Sequence, residues 1–305
     1  MEIRVLKYFL MVAREENMTK AAELLHITQP TLSRQIMQLE EELECKLFRR
    51  SNHSIYLTEE GMRFKKHAQD IVSLEERTKR EFKEKQNGME GVIAIGSGET
   101  KGVCELAQVM KDFQKEYPRI SYDIYTANAD DVKERLDKGL VDFGLLTEPV
   151  DISKYNFMRL GQKEAWGVIV PADWKVAEKE FVRAEDLLEL PLIVVSRSSV
   201  QKELSGWFGD FYDQLQIVST YNLINNAVIL AKTGLGAVLC MDMKDYIDPQ
   251  VKFVPLYPSV KTGSVLIWKK NQLLSEISYH FLQWIKKCSE CISGNQKERK
   301  KYDCQ

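Results

Sequence analysis

The sequence of 305 residues predicts a mixed fold, with an all-α winged helix-turn-helix domain first, a long linker helix next and a two-lobed α/β domain last. Two short amphipathic patterns joined by HITQP lie near the start of the chain, from Met18 onward, which indicates two helices with a tight turn between them. A highly charged stretch without proline follows them. After it, short apolar runs alternate with helical patterns, which is typical of a doubly wound, mostly parallel sheet.

The two helices joined by HITQP are predicted between Met18 and Arg50. The first begins at Thr19, an expected N-cap, and its alanines and leucines make it a short buried helix. The second is capped by Thr28 and tolerates Pro30, because the first turn of a helix needs no donor there. Its apolar face carries Leu32, Ile36, Leu39 and Leu43.

The opposite face of the second helix is polar at its N-terminal turns, where a core helix would carry apolar residues. Glutamine pairs with adenine edges, arginine with guanine, and serine or threonine with bases or phosphates. We therefore interpret this face as one that reads DNA, against the alternative of an ordinary surface helix. Its candidate residues are Thr28, Gln29, Pro30, Thr31, Ser33, Arg34 and Gln38.

A two-stranded wing is predicted after the helix pair. In SNHSIYLTEEG, Ile55 and Leu57 alternate with polar neighbours, SNH is typical of a turn, and Thr58 is a further expected N-cap. The net charge of -2 does not by itself predict a nucleic-acid protein, so positive charge must be local. The basic residues expected to hold phosphates are Arg49, Arg50 and His53.

The residues AAELLHITQPTLSRQIMQLEEELECKLFRR followed by LTEEG closely resemble the N-terminal domain of LysR-type transcriptional regulators. The resemblance covers almost the whole module, which we place at residues 1–61. It implies that the major groove is contacted by Gln29, Pro30, Ser33 and Arg34. It likewise implies that the phosphate backbone is held by Thr31, Arg50 and His53.

One long helix is predicted from Thr58 to about Gln86, with residues 62–88 as the linker. Its roughly 28 residues would form a rod of about 40 Å. The alternatives are a solvated connector and a homodimer interface that pairs two DNA readers, and we favour the dimer, as the resemblance also implies. Its thin apolar stripe is Phe64, Ala68, Ile71, Thr78 and Phe82.

Residues 89–292 are predicted to form the α/β domain, with lobe I at about 89–162 and 266–292 and lobe II at about 163–265. Two lobes with a late return to the first resemble the effector-binding domain of the same family, which is type 2 periplasmic-binding-protein-like. Trp166 and Trp207 are expected in the core. Residues 293–305 form a polar, basic tail.

Loops at the carboxyl ends of the strands are the expected ligand site of such a domain. Hydroxyls and helix N-terminal amides suit a small anion such as a carboxylate, although Glu99 would repel an anion if it pointed inward. The candidate effector-binding residues are Ser97, Glu99, Thr100, Asn128, Thr147, Ser196, Ser198, Ser199, Tyr221 and Asn222.

No catalytic constellation is found in the sequence, so an enzyme is not expected. IGSGETKG lacks the spacing of a nucleotide-binding loop, and the four histidines are dispersed. Most of the six cysteines are expected to be reduced; Cys288 and Cys291 form a CxxC without a second pair, so a redox switch is the minority alternative to plain thiols. We expect no cofactor or metal apart from a small-molecule co-inducer.

The expected function is a ligand-responsive, DNA-binding transcriptional regulator whose effector alters promoter binding. Expected partners are double-stranded promoter DNA, the effector and a second copy of the chain, with a homotetramer implied by the resemblance and RNA polymerase as a further candidate. A cytoplasmic location is expected, because neither a signal peptide nor an apolar run of about 18 residues is present. The alternatives are a cytosolic α/β binding protein or enzyme with a helical appendage, and a transport-type solute-binding protein, which would need an export signal.

Overall fold

The computed structural model describes residues 1–50, 55–84, 90–242, 248–270 and 274–294, with the backbone alone at residues 50, 80–84, 162 and 289–294. The chain divides into two compact units, Met1–Gln86 and Asn87–Gln305. No helix in the described ranges is both long enough and apolar enough to cross a membrane.

The first unit contains three helices, a two-stranded antiparallel wing and a long fourth helix. The wing pairs Arg49 with Tyr56 at its centre. The elements are α1 (Ile3–Glu15), α2 (Met18–Leu24), α3 (Gln29–Glu42), β1 (Phe48–Arg50), β2 (Ile55–Leu57) and α4 (Glu59–Glu84).

Side-chain caps begin three of these helices. Thr28 Oγ1 accepts a hydrogen bond from the Thr31 amide at 3.4 Å, and Thr58 Oγ1 accepts one from the Gly61 amide at 2.9 Å, as predicted. The predicted cap of α2 is wrong. Asn17 caps that helix by accepting from Lys20 N at 3.0 Å, which puts the expected cap, Thr19, inside the first turn.

The core of the first unit forms where α1, α3 and α4 meet. The Phe9 ring lies 5.2 Å from the Phe48 ring and 5.0 Å from the Phe64 ring, measured between centroids. Ala68 is fully buried in the same core. Phe64, Ala68 and the half-buried Val72 lie at four-residue spacing and form one apolar stripe of α4.

Part of the predicted stripe of α4 lies outside this core. Ile71 is 36% exposed and Thr78 is exposed, because the stripe that packs on α1 continues through Val72 instead. The side chain of Phe82 lies outside the described residues. One side of α4 thus belongs to the core of its own unit, and other apolar side chains of α4 face solvent.

The second unit is built from nine strands and five α-helices among the residues that the structure describes. Helix α5 follows β3, α6 follows β4, α7 follows β7 and α8 follows β8, which is the predicted alternation. The strands are β3 (Gly91–Ser97), β4 (Ile120–Thr126), β5 (Phe143–Thr147), β6 (Tyr155–Pro171), β7 (Pro191–Val195), β8 (Gln216–Tyr221), β9 (Ala237–Met241), β10 (Val251–Pro255) and β11 (Lys261–Lys269). The helices are α5 (Gly102–Glu116), α6 (Ala129–Asp137), α7 (Ser198–Phe208), α8 (Ile224–Lys232) and α9 (Glu276–Gly294).

The strands form two lobes that share β6. The order is β4-β3-β5-β11-β6 in lobe I and β6-β9-β7-β8 in lobe II, with β10 paired to β6. Strand β3 is parallel to β4 and β5, and β7 is parallel to β8 and β9, whereas β6 and β11 run antiparallel to their neighbours. The sheet is thus mixed, because two antiparallel strands carry the chain across the lobes. The return to lobe I is made by β11, whose pairing with β5 begins at Ser264, near the predicted position of about 266.

Both predicted core tryptophans pack on the core of lobe II. Trp166 is 4% exposed, and its Nε1 donates to Thr262 Oγ1 at 2.7 Å. Trp207 is half-buried, and its Nε1 donates to Pro258 O at 2.8 Å. Each indole therefore buries its ring and satisfies its single donor.

Candidate functional site

The N-terminal half of α3 presents a polar face to solvent. Pro30, Arg34 and Gln38 follow one another at four-residue spacing and are all exposed. On the opposite side of α3, Leu32 and Ile36 are buried in the core of the first unit. The helix therefore holds its polar face outward with a rigid apolar backing.

The other predicted contact residues of α3 surround this face. Thr28 and Thr31 are exposed, and their hydroxyl oxygens lie 2.8 Å apart. Gln29 and Ser33 are half-buried. Gln38 Oε1 accepts a hydrogen bond from Gln35 Nε2 at 3.1 Å. Hydroxyl, amide and guanidinium groups thus share one surface, which suits contacts to base edges and phosphates.

The wing adds basic residues to the same unit. Arg49 is exposed in β1, and Lys46, just before this strand, has a side chain that is 72% exposed. Arg50 lies in β1 with its backbone alone described, and the predicted contact His53 lies outside the described residues. The first unit thus exposes Lys46 and Arg49 in addition to Arg34 of α3.

Glu40 fastens the wing to α3, a role that the sequence analysis missed. It is 7% exposed, and its Oε1 accepts hydrogen bonds from Leu47 N at 2.9 Å and Phe48 N at 3.1 Å. Its Oε2 pairs with Lys46 Nζ at 2.8 Å. The available signal was its position four residues after Ile36, which places it on the apolar side of the helix.

A cavity of about 390 Å³ lies between the two lobes of the second unit. It is formed at the carboxyl ends of β3, β5, β7 and β8, where the sequence analysis placed the ligand site. Trp166, predicted as core alone, also contributes to its wall. The predicted residues that line it are Glu99, Asn128, Thr147, Ser196, Ser198, Tyr221 and Asn222.

The remaining predicted residues, Ser97, Thr100 and Ser199, are absent from the cavity wall, which corrects that part of the prediction. Ser97 is buried and donates to Gly98 O at 2.7 Å. The Thr100 hydroxyl is 2.8 Å from Ser264 Oγ and donates to Glu164 Oε1.

Ser199 also makes contacts within the protein. Its Oγ accepts from Arg197 Nε at 3.0 Å. For all three residues, a position adjoining the cavity does not fix the direction of the side chain.

Glu99 reaches from lobe I to the first turn of α8 in lobe II. Its Oε2 accepts a hydrogen bond from the Ile224 amide at 2.6 Å, and its Oε1 accepts one from Asn225 Nδ2. A carboxylate at a helix N-terminus is stabilised by the unpaired amides and by the helix dipole. Glu99 therefore ties the two lobes together at the cavity wall.

Arg197 makes a second link between the lobes and was missed in the sequence. It precedes α7, and its guanidinium donates to Thr147 O at 3.3 Å and to Pro149 O, both in lobe I. Desolvation lowers the pKa of Arg197, and the nearby Asp130 carboxylate opposes that effect. The signal was the single cation within the serine-rich loop VSRSSV.

Tyr221 and Cys240 line the cavity with groups that stay protonated. The Tyr221 hydroxyl donates to Leu239 O at 2.9 Å, and burial raises its pKa, with Cys240 and Glu99 adding to the effect. Burial also raises the pKa of the Cys240 thiol. Both groups therefore act as neutral wall residues at neutral pH.

The described residues contain no group of three or more histidine, cysteine or acidic side chains that could hold a metal ion. Cys45 and Cys240 are free thiols, whereas Cys104 is disulfide-bonded. The side chain of Cys291, the second cysteine of the CxxC, lies outside the described residues.

Both units match models of known protein families. Residues 3–62 match the bacterial regulatory helix-turn-helix protein of the lysR family. Residues 86–289 match the LysR substrate binding domain. The two matches fall on the unit with the exposed α3 face and on the unit with the interlobe cavity.

Individual relatives cover most of the chain. A probable RuBisCO transcriptional regulator of Phaeodactylum tricornutum is 31% identical over 77% of this chain and 78% of its own length. The Hca operon transcriptional activator HcaR of Escherichia coli is 29% identical over 90% of this chain and 93% of its own length. The crystal structure of full-length CbnR complexed with its target DNA has a TM-score of 0.74 at 22% identity, and the match covers 94% of this chain and 99% of that one. At that identity the structural match shows a shared fold.

Proposed function

This chain belongs to the LysR family of transcriptional regulators, and from that premise we propose that a small effector bound between its lobes changes how paired copies occupy promoter DNA. Its family consists of DNA-binding regulators rather than enzymes. The observation that carries the proposal is one chain with two surfaces: an exposed polar helix face in the first unit and a cavity between the lobes of the second.

The N-terminal face of α3 reads base edges in this proposal. Arg34 is exposed one helical turn after Pro30, so its guanidinium can reach two acceptors of a guanine. Replacing Arg34 by alanine should weaken binding by about 1–3 kcal/mol at one base position of the operator and leave the other positions unchanged. Arg63→Ala, which removes a 69% exposed arginine from α4, is the matched control.

The measurement is binding to the operator and to a set of single-base variants at fixed salt. An equal loss on every sequence would show that Arg34 contacts phosphate, because phosphate contacts carry no base preference. A similar loss in Arg63→Ala would show that total charge, and not the α3 face, sets the affinity.

We propose that α4 pairs two copies of the chain into a homodimer. The support is its exposed apolar side chains, Met62 at 59% and Leu74 at 43%, which the core of the first unit leaves uncovered. Sedimentation of Leu74→Glu should show smaller assemblies than the unaltered protein, because the glutamate would place a charge in the interface. A homotetramer, contact with RNA polymerase and a cytoplasmic location are further parts of the proposal, and they follow from family membership.

The effector site is the interlobe cavity in this proposal. Ser196 lines it from lobe II, so Ser196→Phe should fill part of the space without touching α3. The expected result is unchanged operator binding in the absence of a metabolite extract and loss of the change that the extract produces. An unaltered response would place the effector elsewhere.

The regulator function itself is tested with sheared genomic DNA from the source organism. Bound fragments are recovered, with and without a metabolite extract, and sequenced. We expect enrichment of a dyad-symmetric site whose half-sites lie one helical turn or a multiple apart. Absence of enrichment over input in both conditions would refute DNA reading by the first unit.

A further inference from the structure

We propose that the effector carries an ammonium group, and that Glu99 selects for this cation by excluding carboxylates from the interlobe cavity. The proposal rests on the proposed effector function of that cavity. It replaces the expectation of a carboxylate effector, which came from loop hydroxyls and helix N-termini in the sequence.

The N-terminus of α8 already holds a carboxylate, and the chain itself supplies it. Glu99 Oε2 accepts from the Ile224 amide at 2.6 Å, and Oε1 accepts from the Asn225 side chain. A helix N-terminus is the place where an effector carboxylate would be bound most readily. An anionic effector would have to displace Glu99 from α8 or lie beside its charge.

The N-terminus of α6, which also faces the cavity, is capped in a similar way. Asn128 Oδ1 accepts from Asp130 N at 2.9 Å and from Asp131 N at 3.0 Å. The side chains of these two aspartates lie in the same first turn. The amides at the N-termini of α6 and α8 are thus occupied, and the side chains around them are negative.

The guanidinium of Arg197 is engaged by the protein. Its three nitrogens donate to Thr147 O, Pro149 O and Ser199 Oγ. The bonds to Thr147 and Pro149 join lobe II to lobe I and direct the positive charge at backbone carbonyls. Arg197 therefore holds the lobes together instead of presenting a fork to an effector carboxylate.

The charges of the cavity wall favour a cation. Among the residues that the structure describes, four carboxylates and one guanidinium, that of Arg197, line the wall; the carboxylates belong to Glu99, Asp130, Asp131 and Glu148. Asp130 is paired with Lys133 at 3.0 Å and Glu148 with Arg159 at 2.9 Å.

Glu99 and Asp131 have neutral partners instead. Glu99 accepts from a backbone amide and an asparagine, and Asp131 Oδ2 accepts from Asn128 Nδ2 at 2.8 Å. Two carboxylates at the wall thus keep charge that a cationic ligand would balance.

The volume and the apolar residues of the cavity indicate the size and polarity of the rest of the effector. The volume of about 390 Å³ lies at the small end of ligand sites, which span roughly 300–1,000 Å³. The apolar wall residues include Leu146, Trp166, Val195, Val200, Leu223 and Met241. The wall thus fits a compact apolar amine.

The test uses pairs of probes that have the same number of carbon atoms and carry an ammonium in one member and a carboxylate in the other. Benzylamine is compared with benzoate, and hexylamine with hexanoate, by thermal denaturation and calorimetry of the full chain at pH 7 and equal ionic strength. We expect the amines to bind and stabilise the protein and the carboxylates to leave it unchanged. Binding of the carboxylates at least as tightly as the amines, or binding of neither class, overturns the proposal.

Three variants locate the selectivity. In Glu99→Gln the amide oxygen still accepts from the Ile224 amide but the charge is gone, so amine affinity should fall roughly tenfold or more and carboxylate affinity should rise. Asp131→Asn should also weaken amine binding. It replaces Glu99→Gln in the test if Glu99→Gln does not fold. Glu116→Gln, at an exposed position of α5 outside the wall, should leave the ratio of affinities unaltered.

An equal change for amines and carboxylates in Glu99→Gln would assign Glu99 to lobe closure alone and overturn its role in selection. The genomic-DNA experiment described above tests the regulator function of the unaltered protein without any amine or carboxylate probe. Its failure would refute the regulator function, whereas failure of the amines with DNA recovery intact refutes the effector class alone.

Discussion

Glu40→Ala should destabilise the first unit selectively. The substitution removes the acceptor of two backbone amides, Leu47 N and Phe48 N, in a place where Leu47 is 0% and Phe48 is 7% exposed. A buried donor left without an acceptor costs about 1–3 kcal/mol. The lost pair with Lys46 adds little, because that side chain is 72% exposed.

The expected loss for Glu40→Ala is therefore about 3 kcal/mol in the free energy of unfolding, taking the two amides together. Glu40→Gln keeps an amide oxygen that accepts from both backbone groups and loses only the charge, so about 1 kcal/mol is expected. Glu41→Ala is the matched control, since Glu41 is exposed on the same helix and should change stability by less than about 0.5 kcal/mol.

The chain offers separate signals for its two units. All five tryptophans lie in the second unit, so their fluorescence reports the unfolding of that unit, whereas helical circular dichroism reports both. In urea, Glu40→Ala should move the dichroism transition and leave the fluorescence transition in place. Equal dichroism curves for Glu40→Ala and Glu41→Ala would refute the role of Glu40 in holding the wing.

Two glycines and one thiol give further tests of the second unit. Gly206→Ala should raise stability by up to about 1 kcal/mol, because a methyl group in α7 would meet nothing within 4 Å. Gly102→Ala should lower the stability by about 1–3 kcal/mol, because its new methyl would lie 2.7 Å from Ser264 Cβ. Thermal melts in which Gly206→Ala and Gly102→Ala shift the melting temperature in the same direction would contradict this packing. In the native protein at pH 8 an alkylating reagent should label Cys240, which is 2% exposed and has its pKa raised by burial, far more slowly than the half-buried Cys45, as read by mass spectrometry. Equal labelling rates would show that the cavity wall opens often.

Features with local causes could be predicted from the sequence. Thr28 and Thr58 were identified as caps because a capping side chain and its amide lie three residues apart. The strand-to-helix loops were placed at the cavity because connectivity alone decides which ends of parallel strands meet. Helix α4 was predicted as a helix, but its packed stripe runs through Val72 instead of Ile71, since neighbouring positions fit a helical period almost equally well.

Features that depend on distant partners could not be predicted. Glu99 bonds to residues 125 and 126 positions later, and Arg197 bonds to carbonyls about 50 positions earlier. Thr100 was assigned to the cavity because it lies in the right loop, yet its hydroxyl is held by Glu164 and Ser264. Such contacts depend on how the two lobes pack against each other, and local sequence patterns do not predict that packing.

Strand β6 belongs to both sheets, and where it leaves lobe I it pairs with the start of β11, with Thr262 opposite Glu164 and Lys261 opposite Ala165. A double-stranded crossing of this kind permits twisting far more readily than sliding, because sliding would break the strand pairs. The position at which the twist comes to rest then depends on buried bonds such as those of Glu164 with Thr100 and the Lys101 amide. Substitutions of Glu164 or Thr262, which do not line the cavity, would change the resting angle without altering the proposed operator or effector surfaces. A genetic screen for regulators that act constitutively should therefore recover mutations in these two strands.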